Sequence, residues 1–317
     1  VFAAKKDSTE EKLTKVTLNE VAHSIFYAPQ YVAIEEGYFA EKGLDLTLVT
    51  GFGADKTMTA VISGEADIGF MGAEASVYAY QEGATDPVVN FAQLTQRAGN
   101  FLVAREEMPD FKWEDLKGEK VLGGRKGGMP EMVFEYILKK NGIDPQKDLT
   151  IDQSVDFGST AAAFASDDSA TYTVEFEPSA TILEKEGAGY VVASLGEASG
   201  YVPYTSYSTK ASYMKENPEI IQKFTDALQK GMDYVQNHTP EEIAEVIAPQ
   251  FKETDLETIT AIVKRYYDQD TWKENLIFEK DSFELLQDIL EDAGELTDRT
   301  AYENLVQTEY AQKACKN

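Results

Sequence analysis

The hydrophobic pattern of the first fifty residues predicts a strand, a helix and a second strand. An apolar, β-branched run over 16–21 is typical of a buried strand, and a helical stretch that ends at Gly43 follows it. Residues 44–49 then predict the second strand. In open α/β sheets, ligands bind at the carboxyl ends of such strands. The polar and aromatic loop at 23–27, directly after the first strand, is therefore a candidate ligand contact.

The same alternation of strands and helices continues to about residue 194, and helices follow. Further strands are predicted at 68–71, 87–94, 101–104, 121–122, 149–155, 171–176 and 190–194. Further helices are predicted at 56–63, 72–80, 131–140, 159–165 and 180–186. Beyond residue 217, amphipathic periodicity predicts helices at 218–236, 240–248, 255–267, 282–293 and 301–313. The pattern predicts an α/β fold with a helical C-terminal region.

Two lobes are the expected domain organisation. A chain of 317 residues with 43% hydrophobic content is long enough to bury two cores. We expect the chain to cross between lobes near 96–102 and 195–207. The predicted domains are a flexible leader, a first lobe made of two segments and a second lobe inserted between them: 1–13, 14–97 with 206–317, and 98–205. Proteins of this kind close around a ligand by a hinge.

Charge and composition exclude several classes of function. A net charge of −27 argues against binding to nucleic acid and against attachment to anionic lipids. The single cysteine, Cys315, allows no internal disulfide. The two histidines, His23 and His238, lack metal-ligand spacing, so we expect no metal site, and no cofactor is expected either. No run of 18 apolar residues predicts a membrane span.

Turns of small residues at two predicted helix starts are candidate binding surfaces. Glu74 lies in such a turn, where a ligand can approach backbone N–H groups; tight packing is the alternative. The glycine-rich segment 123–128 also exposes N–H groups, although it lacks the residue order of a nucleotide P-loop. Arg97 and Arg125 are the candidates for binding an anion.

Acidic and aromatic side chains in turns complete the candidate set. Glu175 and Glu177 share one face of a strand, where two carboxylates can hold a cationic ligand or simply face solvent. Tyrosines in turns offer a flat apolar face and a polar tip, which suits a planar heterocycle. The predicted ligand-binding residues are His23, Ser24, Tyr27, Glu74, Arg97, Gly127, Gly128, Met129, Ser159, Glu177, Tyr201 and Tyr204.

Five phrases spread along the chain resemble one family when they are taken together. They are GYFAEKGLDL at 37–46, SGEADIGFMG at 63–72, FAQLTQRAGNFLVARE at 91–106, FEPSATILEKEGAGYVV at 176–192 and NPEIIQKFTDALQKGMDYV at 217–235. They are similar to substrate-binding proteins of ABC importers, in the branch that handles sulfonates, nitrate and thiamine pyrimidine precursors.

This resemblance implies a two-lobe, type II periplasmic-binding-protein-like fold and a binding role without catalysis. The implied partners are a small-molecule ligand and an ABC permease. The implied location is extracytoplasmic, as a periplasmic protein or a lipid-anchored monomer at the cell surface. In this family an acidic residue directly before proline often faces the ligand, which favours Glu177 over Glu175.

Four functions remain open from the sequence, and one of them, a ligand-sensing partner of a receptor, has no sequence feature that separates it from transport. The acidic and aromatic candidates favour a small nitrogen heterocycle, such as a thiamine pyrimidine precursor. An alkyl sulfonate or nitrate is the alternative, since either arginine can serve an anion. A pyrimidine-biosynthesis-type enzyme on the same fold, using His23 or Glu177, is the alternative of another class. The scarcity of histidine and cysteine counts against it.

Overall fold

In the computed structural model, the chain folds into two five-stranded mixed sheets with helices around them. The structure describes residues 12–316, so most of the predicted leader, 1–11, lies outside the described residues. None of the helices within 12–316 is both long and apolar enough to cross a membrane.

The first sheet has the strand order β2-β1-β3-β10-β4. β1 pairs in parallel with β2 and β3, while β10 is antiparallel to β3 and β4. These strands are β1 (Thr14–Glu20), β2 (Leu44–Thr50), β3 (Ile68–Gly72), β4 (Val88–Thr95) and β10 (Thr205–Lys210).

The second sheet repeats this arrangement, in the order β7-β6-β8-β5-β9. β6 pairs in parallel with β7 and β8, while β5 is antiparallel to β8 and β9. These strands are β5 (Phe101–Ala104), β6 (Lys120–Leu122), β7 (Thr150–Asp152), β8 (Tyr172–Glu175) and β9 (Tyr190–Ser194). The chain therefore crosses between the sheets twice, in the regions where crossings are expected; the exact lobe boundaries stay a prediction.

Helices connect the strands and form the C-terminal part of the chain. Those between residues 28 and 199 are α1 (Ala28–Glu35), α2 (Tyr38–Glu41), α3 (Ala54–Ser63), α4 (Glu74–Gln81), α5 (Met129–Lys140), α6 (Thr160–Ser166), α7 (Ser179–Lys185) and α8 (Leu195–Ser199). Those that follow β10 are α9 (Ala211–Glu216), α10 (Pro218–Asn237), α11 (Pro240–Ile247), α12 (Leu256–Asp268), α13 (Lys280–Asp292), α14 (Tyr302–Leu305) and α15 (Glu309–Ala314).

Strand β10 is missing from the sequence prediction because its residues, TSYSTK, read as polar. Five of the six are nevertheless buried. Their hydroxyl groups are satisfied inside the protein, as buried polar groups require. Ser206 Oγ donates to Asn90 Oδ1 at 2.6 Å, and Tyr207 Oη donates to Gln30 Oε1 at 2.7 Å. Hydrogen bonds with residues far away in the sequence thus allow this polar segment to form a buried strand inside the sheet.

The single helix predicted over 301–313 is wrong, because the chain forms α14 and α15 with an extended break between them. Val306 in the break forms a parallel bridge with Asn90 at the end of the first sheet, and Gln307 N donates to the Asn90 carbonyl oxygen at 2.9 Å. The hydrogen bonds to the sheet replace those that the helix would make.

A close helix–helix approach holds α1, which begins directly after the candidate ligand-binding loop. α10 packs against α1 at Gly231, where a Cβ would collide with the Pro29 carbonyl oxygen and lie 3.2 Å from the Ala33 Cβ. Glycine is required here for the space it leaves, not for an unusual backbone conformation.

We expect Gly231→Ala to lower the free energy of unfolding by about 1–3 kcal/mol, because overpacking at this contact outweighs the better helix propensity of alanine. Urea denaturation measures the loss. Lys223→Ala, at an exposed position of the same helix, is the control and should leave stability nearly unchanged. Equal stability of the Gly231→Ala and control variants would contradict the close contact.

Candidate functional site

A cavity of about 380 Å³ lies between the two sheets, at the carboxyl ends of several strands. The loops after β1, β2 and β3 line one side, and the segments after β6, β7 and β8 line the other. The first-sheet side consists of Val21, Ala22, Tyr27, Phe52, Gly53, Ala54, Asp55, Lys56, Gly72, Glu74, Tyr204 and Thr205. The second-sheet side consists of Arg125, Gly128, Met129, Pro130, Glu131, Asp156, Gly158, Ser159 and Phe176.

Aromatic rings from both sides form much of the cavity wall. The rings of Tyr27, Phe176 and Tyr204 each pack on the buried ring of Phe26, with centroid distances of 5.2, 5.6 and 5.5 Å. Tyr204 Oη donates to Asn100 Oδ1 at 2.5 Å, which fixes the direction of its ring. One core phenylalanine therefore positions three rings that a ligand can contact.

A fourth ring, Phe52, lines the cavity from an exposed position. The residue is 75% exposed and has a φ of 58°, a conformation that favours glycine. A bulky residue held in this conformation at the edge of a cavity is typical of a functional contact. An exposed ring of this size gains little from folding, so ligand contact is the role that suits it.

Glu74, the first residue of α4, places a buried carboxyl group in the cavity wall. The residue is 3% exposed, and no described residue forms a hydrogen bond with Oε2. Burial raises the pKa of Glu74 to about 7, although backbone N–H groups and the charge of Arg125 partly oppose this rise. The carboxyl group lies directly over Gly72, where a Cβ would collide with Oε2. Glycine at position 72 leaves the room that this side chain occupies.

Glu131, in the first turn of α5, places a second carboxyl group in the wall from the other sheet. The residue is 1% exposed; Gln153 Nε2 donates to Oε1 at 2.8 Å, and the Glu135 side chain lies close enough to share a hydrogen bond with the carboxyl group. Burial, reinforced by the neighbouring Glu135 carboxyl group, raises the pKa of Glu131 well above its usual range. The cavity thus contains two carboxyl groups that hold a proton more tightly than usual.

Two cations also line the cavity. Arg125 and Lys56 are exposed, and neither forms an ion pair with a residue of the described range. Arg125 lies near enough to Glu74 to lower the pKa of that carboxyl group. Among the ionisable carboxyl, guanidinium and ammonium groups of the cavity, the buried ones are therefore carboxyl groups, and the positive charge is at the solvent-exposed part.

The structure brings six of the predicted site residues together in the cavity lining. They are Tyr27, Glu74, Gly128, Met129, Ser159 and Tyr204. Their contact with a ligand stays a prediction.

His23 and Ser24 do not line the cavity, contrary to the sequence prediction. His23 Nδ1 lies 2.8 Å from Glu20 Oε2, and Nε2 lies 2.8 Å from the Gln250 carbonyl oxygen. Ser24 Oγ donates to the Glu177 carbonyl oxygen at 2.7 Å and accepts from Phe26 N at 3.2 Å. Both side chains connect parts of the protein to each other, so neither is free for a ligand.

Glu177 is also placed outside the cavity lining, in an ion pair that the sequence did not reveal. Arg265 Nη1 donates to Oε1 at 3.0 Å, and Thr181 Oγ1 donates to Oε2 at 2.6 Å. The residue is buried, and both carboxylate oxygens have donors. Glu177 therefore joins α12 to the segment after β8 instead of facing a ligand.

Arg97, Tyr201 and Gly127 have structural partners as well. Arg97 Nη1 donates to the Gly196 carbonyl oxygen at 3.0 Å, and its guanidinium group lies over the Tyr201 ring at 4.4 Å. The Gly127 carbonyl oxygen accepts from Tyr78 Oη at 2.7 Å, a contact between the segment before α5 and helix α4. None of the three residues lines the cavity.

Among the cavity residues outside the predicted set, three contribute a large ring or a buried carboxyl group: Phe52, Glu131 and Phe176. Phe52 carried a signal, because a large ring between two glycines is poorly suited to a core. Glu131 carried none, since an acidic residue in the first helical turn is ordinary. Phe176 lies between Glu175 and Glu177, and the sequence prediction places Glu177, not the phenylalanine, in the ligand site.

Comparison with known families assigns the chain. The family described as "NMT1/THI5 like" matches residues 25–243, which is more than half of the sequence. The chain belongs to the NMT1/THI5-like family.

Individual relatives of this NMT1/THI5-like protein include binding proteins and an enzyme. A Bacillus subtilis protein named "Putative binding protein YtlA" is 47% identical and matches over 99% of this chain and 93% of its own length. The riboflavin-binding protein RibY of Chloroflexus aurantiacus is 25% identical over 73% of this chain and 65% of its own. The 4-amino-5-hydroxymethyl-2-methylpyrimidine phosphate synthase THI11 of Saccharomyces cerevisiae is 24% identical over 66% and 63%.

Solved structures show the fold of this NMT1/THI5-like chain. The periplasmic nitrate-binding protein NrtA from Synechocystis PCC 6803 superposes with a TM-score of 0.80 at 16% identity, over 96% of this chain and 89% of that one. The alkanesulfonate-binding protein SsuA from Xanthomonas axonopodis pv. citri, bound to MOPS, gives 0.74 at 15% identity, over 94% and 100%. The predicted α/β, periplasmic-binding-protein-like fold is confirmed.

The buried carboxyl groups predict that stability falls as the pH rises. The folded protein holds the Glu74 proton up to a pKa of about 7, whereas the unfolded chain releases it near 4.5. Between these values the folded state binds more protons, so the free energy of unfolding decreases with pH.

We expect Glu74→Gln to reduce this decrease by up to about 1.4 kcal/mol per pH unit, the value for one proton. Urea denaturation at pH 5, 6, 7 and 8 measures the slope. Glu82→Gln, an exposed substitution at the end of the same helix, is the control and should leave the slope unchanged. A slope that stays the same in Glu74→Gln would contradict a protonated Glu74.

Proposed function

We propose that this protein is the extracytoplasmic solute-binding component of an ABC importer, and that it captures a small planar nitrogen heterocycle, such as a thiamine pyrimidine precursor. The observation that carries the proposal is the buried Glu74 carboxyl group, whose Oε2 has no hydrogen-bond partner among the described residues, beside the rings of Tyr27, Phe176 and Tyr204. Rings bind the faces of a planar heterocycle, and a carboxyl group pairs with N–H groups at its edge.

The size and lining of the cavity support capture of a small molecule. Ligand pockets of a few hundred Å³ with aromatic walls and a few polar groups are common in binding proteins, and this cavity measures about 380 Å³. Micromolar affinity requires about 8 kcal/mol. Stacked rings with four or five hydrogen bonds supply a free energy of that size.

Relatives support the heterocycle. Riboflavin, named for one relative, and the aminopyrimidine named for the yeast synthase are both planar rings that contain nitrogen. Nitrate and alkanesulfonate, named for the solved structures, are anions. Arg125 is the observation that favours an anion as the second candidate, because it lines the cavity without an ion partner. Two buried carboxyl groups in the same wall oppose that alternative.

Binding without turnover is the role we propose. The relative that matches nearly the whole chain is named a binding protein. The two residues considered for catalysis lie outside the cavity lining: His23 is held by Glu20 and Gln250, and Glu177 is held by Arg265 and Thr181. Incubation with a bound heterocycle, followed by mass spectrometry, should return the ligand unchanged; a new product would overturn this role.

Transport requires a second partner and a change of shape, which we include in the proposal. The lobes, 14–97 with 206–317 and 98–205, close on the ligand by bending at the two crossings. The closed monomer then delivers the ligand to an ABC permease. A lipid anchor that holds the protein at the cell surface remains part of the expectation that comes from the family.

A thermal-shift screen tests the ligand class. We expect an aminopyrimidine related to thiamine precursors to raise the melting temperature by several degrees, and to keep raising it with the logarithm of ligand concentration above Kd, because binding stabilises the folded state in this logarithmic manner. Nitrate and a short alkanesulfonate are the comparison ligands. A concentration-dependent rise with an anion alone would contradict the heterocycle and favour Arg125 as the contact.

Substitution of Phe52 separates binding from stability. We expect Phe52→Ala to weaken binding of the heterocycle found in the screen about 2- to 10-fold, the value of one aromatic contact. The melting temperature without ligand should not change, because the ring is exposed. Tyr190→Ala, another exposed ring but outside the cavity lining, is the control. Unchanged affinity in Phe52→Ala, measured by calorimetry, would remove Phe52 from the site.

A further inference from the structure

We propose that a charged pair formed by Glu20 and His23 positions the loops after β1 and β2, which line the first-sheet side of the cavity, and that ligand affinity falls when His23 loses its charge. Both residues lie outside the cavity lining, so they act as positioning residues and not as ligand contacts. The inference rests on the proposed function for its effect on affinity, while the pair itself is tested without ligand.

The Glu20 carboxyl group lies at the centre of a buried hydrogen-bond network. Glu20 is the last residue of β1 and is fully buried. Gln30 Nε2 and Tyr31 Oη donate to Oε1 at 2.9 and 2.7 Å. Thr50 Oγ1 donates to Oε2 at 2.7 Å, and His23 Nδ1 lies 2.8 Å from the same oxygen. A carboxylate only accepts hydrogen bonds, so it is the form of Glu20 that suits these four neighbours.

His23 has an acceptor at each of its two ring nitrogens. Nδ1 faces the Glu20 carboxylate, and Nε2 lies 2.8 Å from the Gln250 carbonyl oxygen. A neutral imidazole has one N–H group, so it leaves one of these acceptors without a donor, whereas the imidazolium ion donates to both. The geometry therefore favours the positively charged ring.

The groups packed around His23 agree with this charge. Among the described residues, the titratable side chains in contact with the ring are Glu20 of β1 and Tyr31 of α1. The segment after α11 contributes the Gln250 carbonyl oxygen and the Phe251 ring, neither of which titrates. Burial lowers the pKa of His23, but the hydrogen bonds and the charge of these acceptors raise it by more, so that the pKa lies above its ordinary value of 6.5. The positive charge is lost as the pH rises through that raised pKa.

The network reaches both loops at the points where they leave the sheet. Cavity residues 21–22 follow Glu20 directly, and Tyr27 ends the same loop, just before the two α1 residues that donate to Glu20. Phe52 lies two residues after Thr50, the donor at the end of β2. Hydrogen bonds to an ionised group are about twice as strong as those between neutral groups. When the His23 ring is neutral, one acceptor loses its donor and the loop after β1 is held less firmly.

NMR of the histidine rings tests the charged pair without any ligand. The chain contains two histidines, so a His238→Gln variant with isotope-labelled histidine reports on His23 alone. Because the pKa of His23 is raised above 6.5, we expect more than half of the rings to be protonated on both nitrogens at pH 6.5. Rings that are mostly neutral at this pH would overturn the charged pair.

Amide hydrogen exchange tests the positioning role in the same ligand-free protein. At pH 6.5, the amides of 21–27 should exchange about 3- to 10-fold faster in His23→Gln than in the wild type, because glutamine has one donor nitrogen and cannot reach both acceptors. The His238→Gln control should exchange like the wild type. Equal exchange in His23→Gln and the wild type would overturn the positioning role, whatever the ligand is.

Calorimetry at several pH values connects the pair to ligand affinity. The probe is 4-amino-5-hydroxymethyl-2-methylpyrimidine, the aminopyrimidine named for the yeast synthase, without its phosphate. Glu74 and the probe titrate in every variant, so the ratio of wild-type affinity to His23→Gln affinity at each pH isolates His23. We expect a ratio of about 3 to 10 at pH 6 that falls towards 1 at pH 9. The same ratio at both pH values would overturn the role of the charge.

His23→Arg is the matched variant, because arginine keeps its charge throughout this pH range. It should bind the probe within about 3-fold of the wild type at pH 6 and lose less affinity than the wild type between pH 6 and pH 9. An equal loss in both proteins would contradict the role of the charge. If the wild type binds no heterocycle, the proposed function fails, and the NMR and exchange measurements still decide whether the pair positions the loops.

Discussion

The return of the chain through β10 is the constraint on which both halves of the protein depend. This strand lies between β3 and β4, so the first sheet is complete only after the second sheet has been built. Its buried hydroxyl groups require partners, and Asn90, Gln30 and Thr95 provide them. Because these partners come from strand β4 and helix α1, β10 stabilises the first sheet and also fixes where the chain leaves the second. The C-terminal helices can pack only on a sheet that β10 has completed.

The same strand determines the shape of the cavity. Tyr204 and Thr205 stand at its start, where the second crossing ends, and both line the cavity. The neighbouring strand β3 ends at Gly72, which leaves the space for the Glu74 carboxyl group. A buried carboxyl group without a full set of partners lowers stability. The fold carries that cost beside the carboxyl ends of β1, β2 and β3, which is where a bound ligand can offset it.

Local sequence patterns correctly predict the helices and strands that show a regular spacing of apolar residues. The strand at 101–104 and the start of the helix at Pro218 agree with the structure to the residue. The same patterns do not predict the role of a side chain when its hydrogen-bond or ion-pair partner lies far away in the sequence. Glu177 looked like a ligand contact until Arg265, 88 residues away, was found to pair with it. Glu131 shows the reverse, since nothing local distinguishes an ordinary helix-start glutamate from one that faces a cavity.

Selectivity and closure draw on the same contacts. Protein groups already join the two halves without the help of a ligand, including the hydrogen bonds from Ser24 to the Glu177 carbonyl oxygen and from Tyr78 to the Gly127 carbonyl oxygen. A ligand shifts the balance between open and closed forms only by the free energy that it gains in one form and not in the other. A ligand group that contacts only one side of the cavity contributes the same binding free energy in the open and in the closed form. In the proposed closure, a ligand that contacts both sides of the cavity gains part of its contacts only in the closed form, so recognition of the ligand and closure of the protein are coupled.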